Sequence, residues 1–383
     1  MVAGTTENLH VILSGGDTGG HLYLAVAIIE YLRKHAPSST LSFAGAPGRL
    51  PMGDALPPDV RTFSLNVLPY DRKNVLGNLK VACSIVRGIR ESLRILSAGR
   101  PDAVIGLGGY PSGPFLYAAT LKKIPTLILE PNVKLGLANR LLAKRVDRIC
   151  VAFDETAACF PRGSVVITGT PVRELLTPSL PDKARSRVRL GLNPDMRTCL
   201  VIGGSLGSGK LNDTLLHSVR EMTGRNIQIL WQTGTEQFPA INSALGGVAP
   251  QAYSIAPFIE NMGEAYAAAD LVVSAGGAIT IAELAVAGMP AIIIPSAVVT
   301  GNHQYYNALA LEREQACVLI EEQDIDEKLS GAIVDLLGSP ERLDRMHGNI
   351  GRFARPQAAE LVVHELLELC RRRSGNGRAF VKG

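Results

Sequence analysis

The sequence predicts an α/β protein built from two doubly wound parallel-sheet domains facing a central cleft. Three observations carry that expectation. Short apolar, β-branched runs alternate with helical stretches along the chain. The runs lack strict apolar–polar alternation, the mark of strands buried on both faces of a parallel sheet. A glycine-rich turn occurs twice, about one domain apart, each time between an apolar run and a helical one. It reads Ser14-Gly15-Gly16-Asp17-Thr18-Gly19-Gly20-His21 and then Gly203-Gly204-Ser205-Leu206-Gly207-Ser208-Gly209.

In the first half, strands are expected at Val11–Leu13, Ala103–Ile105, Thr126–Leu129, Ile149–Ala152 and Val165–Ile167. A second set falls at Cys199–Ile202, Ile227–Trp231, Ala252–Ile255, Leu271–Val273, Ala291–Ile294 and Cys317–Ile320. Helical segments such as Leu24–Arg33, Leu116–Leu121, Asn212–Arg220 and Ile281–Ala287 lie between them. The 383 residues suit two domains of roughly 150 residues each. Pro178, Pro181, Pro194 and the charged run Lys183–Arg189 put the domain break within Thr177–Asp195. The expected division is 1–176, 177–355, and a segment 356–383 returning towards the first domain. That segment holds a last helix, Gln357–Arg373, and a disordered tail, Ser374–Gly383.

Composition narrows the function. Aromatic residues are only 5% of the chain, which argues against a base-stacking nucleic-acid surface. The net charge of +4 is uneven: +7 over residues 1–180 and −3 over the rest, so an anionic partner is expected on the first domain. The six cysteines are dispersed, without C-x-x-C pairs or histidines at metal-ligand spacing; most sit in apolar runs and read as core residues, which suits a reducing cytosol. No signal peptide or apolar run of about 20 residues is found, so a soluble or peripheral protein is expected. Val75, Leu79, Cys83, Val86 and Leu93 recur at helical spacing, flanked by Arg72, Lys73, Lys80, Arg87, Arg90 and Arg94. This is either a basic amphipathic surface for anionic lipid or a core-facing stripe with a solvated basic face.

Glycines let a backbone turn sharply and bring its N–H groups against a ligand. A helix N-terminus behind them favours an anion. Two such units point to an enzyme acting on a phosphate-bearing substrate, although neither loop is a P-loop or a strict G-x-G-x-x-G turn.

Five further segments sharpen the reading: Gly106-Leu107-Gly108-Gly109-Tyr110-Pro111-Ser112-Gly113-Pro114, Glu130-Pro131-Asn132, Gly169-Thr170-Pro171-Val172-Arg173, Ser274–Glu283 and Gly301–Ala308. In this order, from about Val11 to Ile320, they resemble the N-acetylglucosaminyltransferases of peptidoglycan assembly in glycosyltransferase family 28. The resemblance implies two Rossmann-like domains of GT-B type around a cleft. It also implies inverting transfer of GlcNAc from UDP-GlcNAc to undecaprenyl-pyrophosphoryl-MurNAc-pentapeptide, as a peripheral enzyme on the cytoplasmic face of the bacterial membrane. No cofactor or metal is implied, since helix N-termini and glycine-loop amides can take the charge of the diphosphate.

The resemblance also assigns site residues. Glu283 would bind the ribose hydroxyls, and the Ser274–Ala278 loop and Ser205 would meet the diphosphate. Gln304 and Asn307, three apart on one helix face, would contact the sugar. Arg173 and the backbone at Ile259 would frame the uracil. Thr18, Gly19, Gly20, Tyr110, Asn132 and Asn212 would serve the acceptor and phosphates. His21 is the expected general base, because a histidine titrates near neutrality; Asp17 and Glu130 are rival carboxylates. The chain departs from the family pattern at inserted Asp17, at the missing Pro-Gly after His21, at Leu129-Glu130-Pro131-Asn132 and at Leu206. These departures bear on loop geometry and acceptor preference. Two other functions fit the same architecture, a UDP-GlcNAc 2-epimerase and a non-catalytic sugar-nucleotide-binding protein.

Overall fold

The computed structural model describes residues 8–16, 19–46, 56–69, 77–160, 163–173, 180–203, 208–246, 252–297 and 299–379. It divides into two compact units: Met1–Arg173 with Pro356–Gly383, and Glu174–Arg355.

The first unit is a seven-stranded sheet. Its strands are β1 (His10–Gly15), β2 (Thr40–Gly45), β3 (Arg61–Ser64), β4 (Ala103–Gly106), β5 (Thr126–Glu130), β6 (Arg148–Val151) and β7 (Val165–Ile167). They lie in the order β3-β2-β1-β4-β5-β6-β7, every neighbouring pair parallel. The second unit has β8 (Arg197–Ile202), β9 (Ile227–Gln232), β10 (Tyr253–Ala256), β11 (Leu271–Ser274), β12 (Ala291–Ile293) and β13 (Cys317–Leu319). These are also parallel, in the order β10-β9-β8-β11-β12-β13. All eleven strands read from the sequence are present, and the two-sheet α/β architecture holds.

β2 and β3 had no counterpart in the sequence reading. Four of the six residues of Thr40-Leu41-Ser42-Phe43-Ala44-Gly45 are small or polar, yet all but Thr40 are buried. β3 is an edge strand whose residues are mostly exposed, so its sequence carries no apolar signature.

In both sheets the chain winds outward on one side and then crosses to the other. The reversal falls between β1 and β4, where Ser14 pairs with Gly106, and between β8 and β11, where Ile202 pairs with Ser274. Ligands of open α/β sheets bind outside the carboxyl ends of the strands at such a reversal. Each sequence-level glycine turn begins there.

Helices complete each unit. Gly77–Gly99 packs on Ser112–Leu121 at Gly88, where a Cβ would lie 3.4 Å from Pro114 Cβ and 2.6 Å from Val67 Cγ2 in the segment after β3. The outward side of Gly77–Gly99 exposes Leu79, Cys83, Ile85 and Val86 beside Arg87, Arg90 and Arg94, whereas Leu93 packs against the core. The expected stripe therefore keeps one helix face but changes environment along it: Leu79, Cys83 and Val86 are exposed, and Leu93, two turns beyond Val86, is half-buried against the core. Arg72, Lys73 and Val75 lie outside the described residues. Among the described residues, no helix is long and apolar enough to cross a membrane.

Helix Lys183–Arg189, which its charge and flanking prolines put in the domain break, is fastened to the second unit. Arg187 bonds Asp270 at 2.6 Å and the carbonyls of Ala268 and Pro194 at 2.9 Å. Lys183 bonds the same buried Asp270 at 2.9 Å. The last helix, Ala358–Ala379, lies along Gly19–His35 and is held by the Arg148–Glu365 ion pair at 2.9 Å. It continues past Arg373 into the stretch expected to be a disordered tail. No proline intervenes, and an established helix gains a hydrogen bond with each added residue. Cys150, Cys199, Cys317 and Cys370 are buried. Burial pushes the Cys150 and Cys317 thiols up to about 12, and that of Cys199 up as well, so these three are inert core groups.

Candidate active site

At the first reversal, the loops after β1 and β4 close on one imidazole. His21 is the third residue of helix Gly19–His35. A Cβ on Gly16 would stand 2.9 Å from His21 Nδ1, and one on Gly108 would stand 3.2 Å from Nε2. Gly109 packs so tightly on Gly16 that a Cβ would fall 2.7 Å from its Cα. Gly108 and Gly109 have φ of +97° and +82°, which glycine alone adopts without strain. The glycines thus form a cradle whose content is the half-buried His21 ring. The Ser112 hydroxyl donates to Gly109 O at 3.0 Å and fixes the second loop, with half-buried Tyr110 between them. Gly20 is exposed at the helix start beside Gly19. Asp17 and Thr18 lie outside the described residues.

Glu130 ends β5 and is 2% exposed. Its Oε1 accepts from Asn132 N at 3.2 Å and Asn132 Nδ2 at 3.1 Å; Oε2 accepts from Gly136 N and Asn139 Nδ2, both at 2.9 Å. A carboxylate offers about four acceptor positions, and here the loop fills them. Glu130 and Asn132 therefore organise the loop that follows β5, a geometry unlike that of a base open to substrate. Asn139 had not been singled out from sequence. It is buried against the Glu130 carboxylate, and its Oδ1 finds no partner among the described residues. A Cβ on Gly108 would be 3.9 Å from its amide nitrogen, so it borders the His21 cradle. Nothing in its local sequence marks it, because the link to Glu130 spans nine residues.

Arg173 belongs to the first unit, with its guanidinium 5.0 Å from the centroid of the Tyr23 ring. The structure thus groups it with the His21 helix, whereas the other donor candidates fall in the second unit.

At the second reversal, β11 runs into Ala275-Gly276-Gly277, and helix Ala278–Ala287 opens at Ala278. Gly277 is the N-cap and supplies no side-chain cap to the first amides. Gly276 abuts the next glycine-rich segment; a Cβ there would be 2.4 Å from Gln304 O. Gln304 Oε1 accepts from Ser296 N at 2.9 Å, which leaves its amide N–H groups to donate. Asn307 is fully buried and donates to Gly276 O at 3.2 Å. It sets the position of the glycine loop instead of presenting its amide openly. Glu283, 5% exposed, accepts from the Tyr266 hydroxyl at 3.0 Å.

Two expectations change here. Ile259 N donates to Gln232 Oε1 at 2.9 Å, so a base recognised at that backbone edge would meet the carbonyl. Asn212 is 1% exposed and spent internally: it donates to Thr233 O and Gln237 Oε1 and accepts from Trp231 Nε1. It anchors helix Gly209–Gly224 in the second unit, away from the acceptor group in which the sequence put it. Ser205 and Leu206 lie outside the described residues. The chain holds one Asp-x-Asp triplet, Asp324-Ile325-Asp326, a spacing that can hold a divalent ion. Here Asp324 pairs with Lys328 and Asp326 with Lys210 and Thr214.

Both reversal points carry glycine loops set against helix starts, as an enzyme handling phosphorylated substrates requires. The model of the glycosyltransferase family 28 N-terminal domain matches residues 11–151, and that of the C-terminal domain matches 198–362. A relative from Bacteroides thetaiotaomicron is 35% identical over 95% of this chain and 98% of its own length. One from Bacteroides fragilis is 36% identical over 96% and 97%. Both are named UDP-N-acetylglucosamine–N-acetylmuramyl-(pentapeptide) pyrophosphoryl-undecaprenol N-acetylglucosamine transferase. The crystal structure of Acinetobacter baumannii MurG aligns with a TM-score of 0.73 at 26% identity, over 94% of this chain and 99% of that one. The chain is a glycosyltransferase and belongs to family 28.

Proposed function

We infer that this enzyme moves N-acetylglucosamine from UDP-GlcNAc to the lipid-linked N-acetylmuramyl-pentapeptide, with inversion at the anomeric carbon. The observation that carries the reading is the near-complete alignment, at 35–36% identity, with relatives named for that transfer. The second unit holds the donor. Glu283 receives the ribose hydroxyls, the amides at Ala278 face the diphosphate, and Gln304 donates to a sugar hydroxyl. Asn307 acts on the sugar site through Gly276. The family pattern assigns Ser205 to the diphosphate, and the Ile259 carbonyl meets the uracil.

The first unit holds the acceptor. Gly19 and Gly20 offer amides to its pyrophosphate at the start of the His21 helix, and Thr18 is assigned to the same group by the family pattern. Tyr110 and the Asn132 loop shape its sugar pocket. His21 takes the proton of the acceptor hydroxyl as that oxygen attacks the anomeric carbon. The bond from that carbon to the UDP oxygen breaks, and the charge gathering on the diphosphate meets preorganised amides. The exposed Leu79–Arg94 side of helix Gly77–Gly99 rests on anionic lipid, placing the enzyme at the cytoplasmic face of the membrane.

The test is incubation with labelled UDP-GlcNAc and lipid-linked MurNAc-pentapeptide in detergent. A labelled lipid-linked disaccharide with a β-glycosidic bond is expected. Epimerised UDP-sugar, or donor binding without any lipid product, would overturn the reading.

A further inference from the structure

We propose that Tyr266 is a positioning residue for donor recognition, acting through Glu283 to make the site selective for a ribonucleotide sugar. The inference rests on the donor reading above. Tyr266 is 1% exposed and lies on helix Met262–Ala268. That helix starts directly after the Phe258-Ile259-Glu260 segment and is capped by Asn261, whose side chain accepts from Glu264 N at 3.2 Å. Glu283 comes from a different helix, Ala278–Ala287, and is itself 5% exposed. The Tyr266 hydroxyl reaches across to Glu283 Oε2 at 3.0 Å. A single rigid ring therefore links the segment proposed to frame the base with the carboxylate proposed to hold the ribose.

The chemistry follows from the geometry. Hydrogen bonds to an ionised acceptor are the stronger kind, and a buried one holds the carboxylate plane in a single orientation. Tyr266 takes one of the roughly four acceptor positions of that carboxylate. A cis-diol needs two of the others at a fixed angle. Without the hydroxyl, the carboxylate loses one of the bonds that fix its plane, and its last torsion is broad for a terminal sp² group. The contact would survive, but its match to two adjacent hydroxyls would loosen. A donor with a single ribose hydroxyl needs only one acceptor direction and would suffer less.

The experiment is steady-state transfer with UDP-GlcNAc and with its 2′-deoxyuridine analogue, using wild type, Tyr266→Phe, Glu283→Gln and the double variant. Wild type should favour the ribonucleotide. Tyr266→Phe keeps the buried ring and should raise the UDP-GlcNAc KM about five- to ten-fold with kcat nearly constant. It should also reduce the preference for ribose by about the same factor. In the Glu283→Gln background the same change should add little, since Tyr266 acts through that side chain. Site-specific 3-fluorotyrosine at 266, which retains both ring and hydroxyl, should keep the preference. Unchanged preference in a Tyr266→Phe protein that melts near wild type would overturn the proposal. So would additive losses in the double variant, or loss of preference with fluorotyrosine. Wild-type protein that does not use UDP-GlcNAc would overturn the donor reading itself.

Discussion

The two strand reversals start from the same construction and end with different chemistry. Each joins a central strand to its neighbour across the point where the sheet changes direction, and each follows with glycines and a helix. At the β1/β4 reversal the glycines crowd around a titratable ring, with Gly16, Gly108 and Gly109 all closing on His21. At the β8/β11 reversal the tight glycine, Gly276, closes on the backbone of Gln304, and the acidic Glu283 is held by a tyrosine hydroxyl. The first arrangement holds a group that can move a proton. The second holds groups that accept and donate hydrogen bonds without changing state. The fold fixes where a ligand goes; the side chains set against the glycines decide what is done there.

The sharpest way to break this contrast is His21→Ala. It should lower kcat about 10²- to 10⁴-fold while UDP-GlcNAc binding stays near normal. A base works in its deprotonated form, so wild-type activity should fall as pH drops, and that acidic limb should vanish in the variant. Glu130→Gln provides the opposing arm. The new amide would face donors already aimed at the carboxylate, so melting should drop by the equivalent of about 1–3 kcal/mol with the acidic limb intact. If His21→Ala instead raised only the acceptor KM, the first reversal would be a binding site like the second. A limb that disappears in Glu130→Gln would move the base to that carboxylate.

Glu283→Ala should give the next largest effect, on binding alone. Losing the ribose hydrogen bonds, and leaving the Tyr266 hydroxyl buried without its partner, should weaken donor affinity by ~1.5–3 kcal/mol, about ten- to a hundred-fold. Isothermal titration with UDP would measure it. Unchanged affinity in a folded variant would reduce Glu283 to a buried structural acid.

The sequence made some of this legible and hid the rest for identifiable reasons. The central strands among the eleven were readable because parallel strands buried on both faces are continuously apolar, as in Ala103–Ile105 or Leu271–Val273, and the edge strands β7, β10 and β13 because they keep apolar, β-branched or aromatic residues. β3 was hidden because its edge position needs no apolar residues. In the site, residues next to a glycine turn were readable from the turn itself, as His21 and Ala278 were. Their partners were not, because Asn139, Gln232 and Tyr266 are ordinary residues brought in by long-range hydrogen bonds. For the same reason Asn212 read as a ligand contact and Glu130 as a rival base, although both side chains are hydrogen-bonded within the protein. A motif records that a polar residue is required, not whether its partner is substrate or backbone.

The smallest predicted effect tests whether the contrast extends beyond the sites to the units that hold them. An enzyme whose acceptor is lipid-linked has to meet it at a membrane surface, and the exposed Leu79, Ile85 and Val86 beside Arg87, Arg90 and Arg94 lie on the first unit. A basic residue near an anionic surface contributes about 1 kcal/mol. Arg90→Ala should therefore weaken co-sedimentation with vesicles rich in anionic phospholipid by roughly five-fold, and the deficit should shrink as salt rises. Binding to neutral vesicles and affinity for UDP should be unchanged, since neither depends on that charge. Equal retention of wild type and variant on anionic vesicles would show that Arg90 is a solvated surface charge. The difference between the units would then rest on His21 and Glu283 alone.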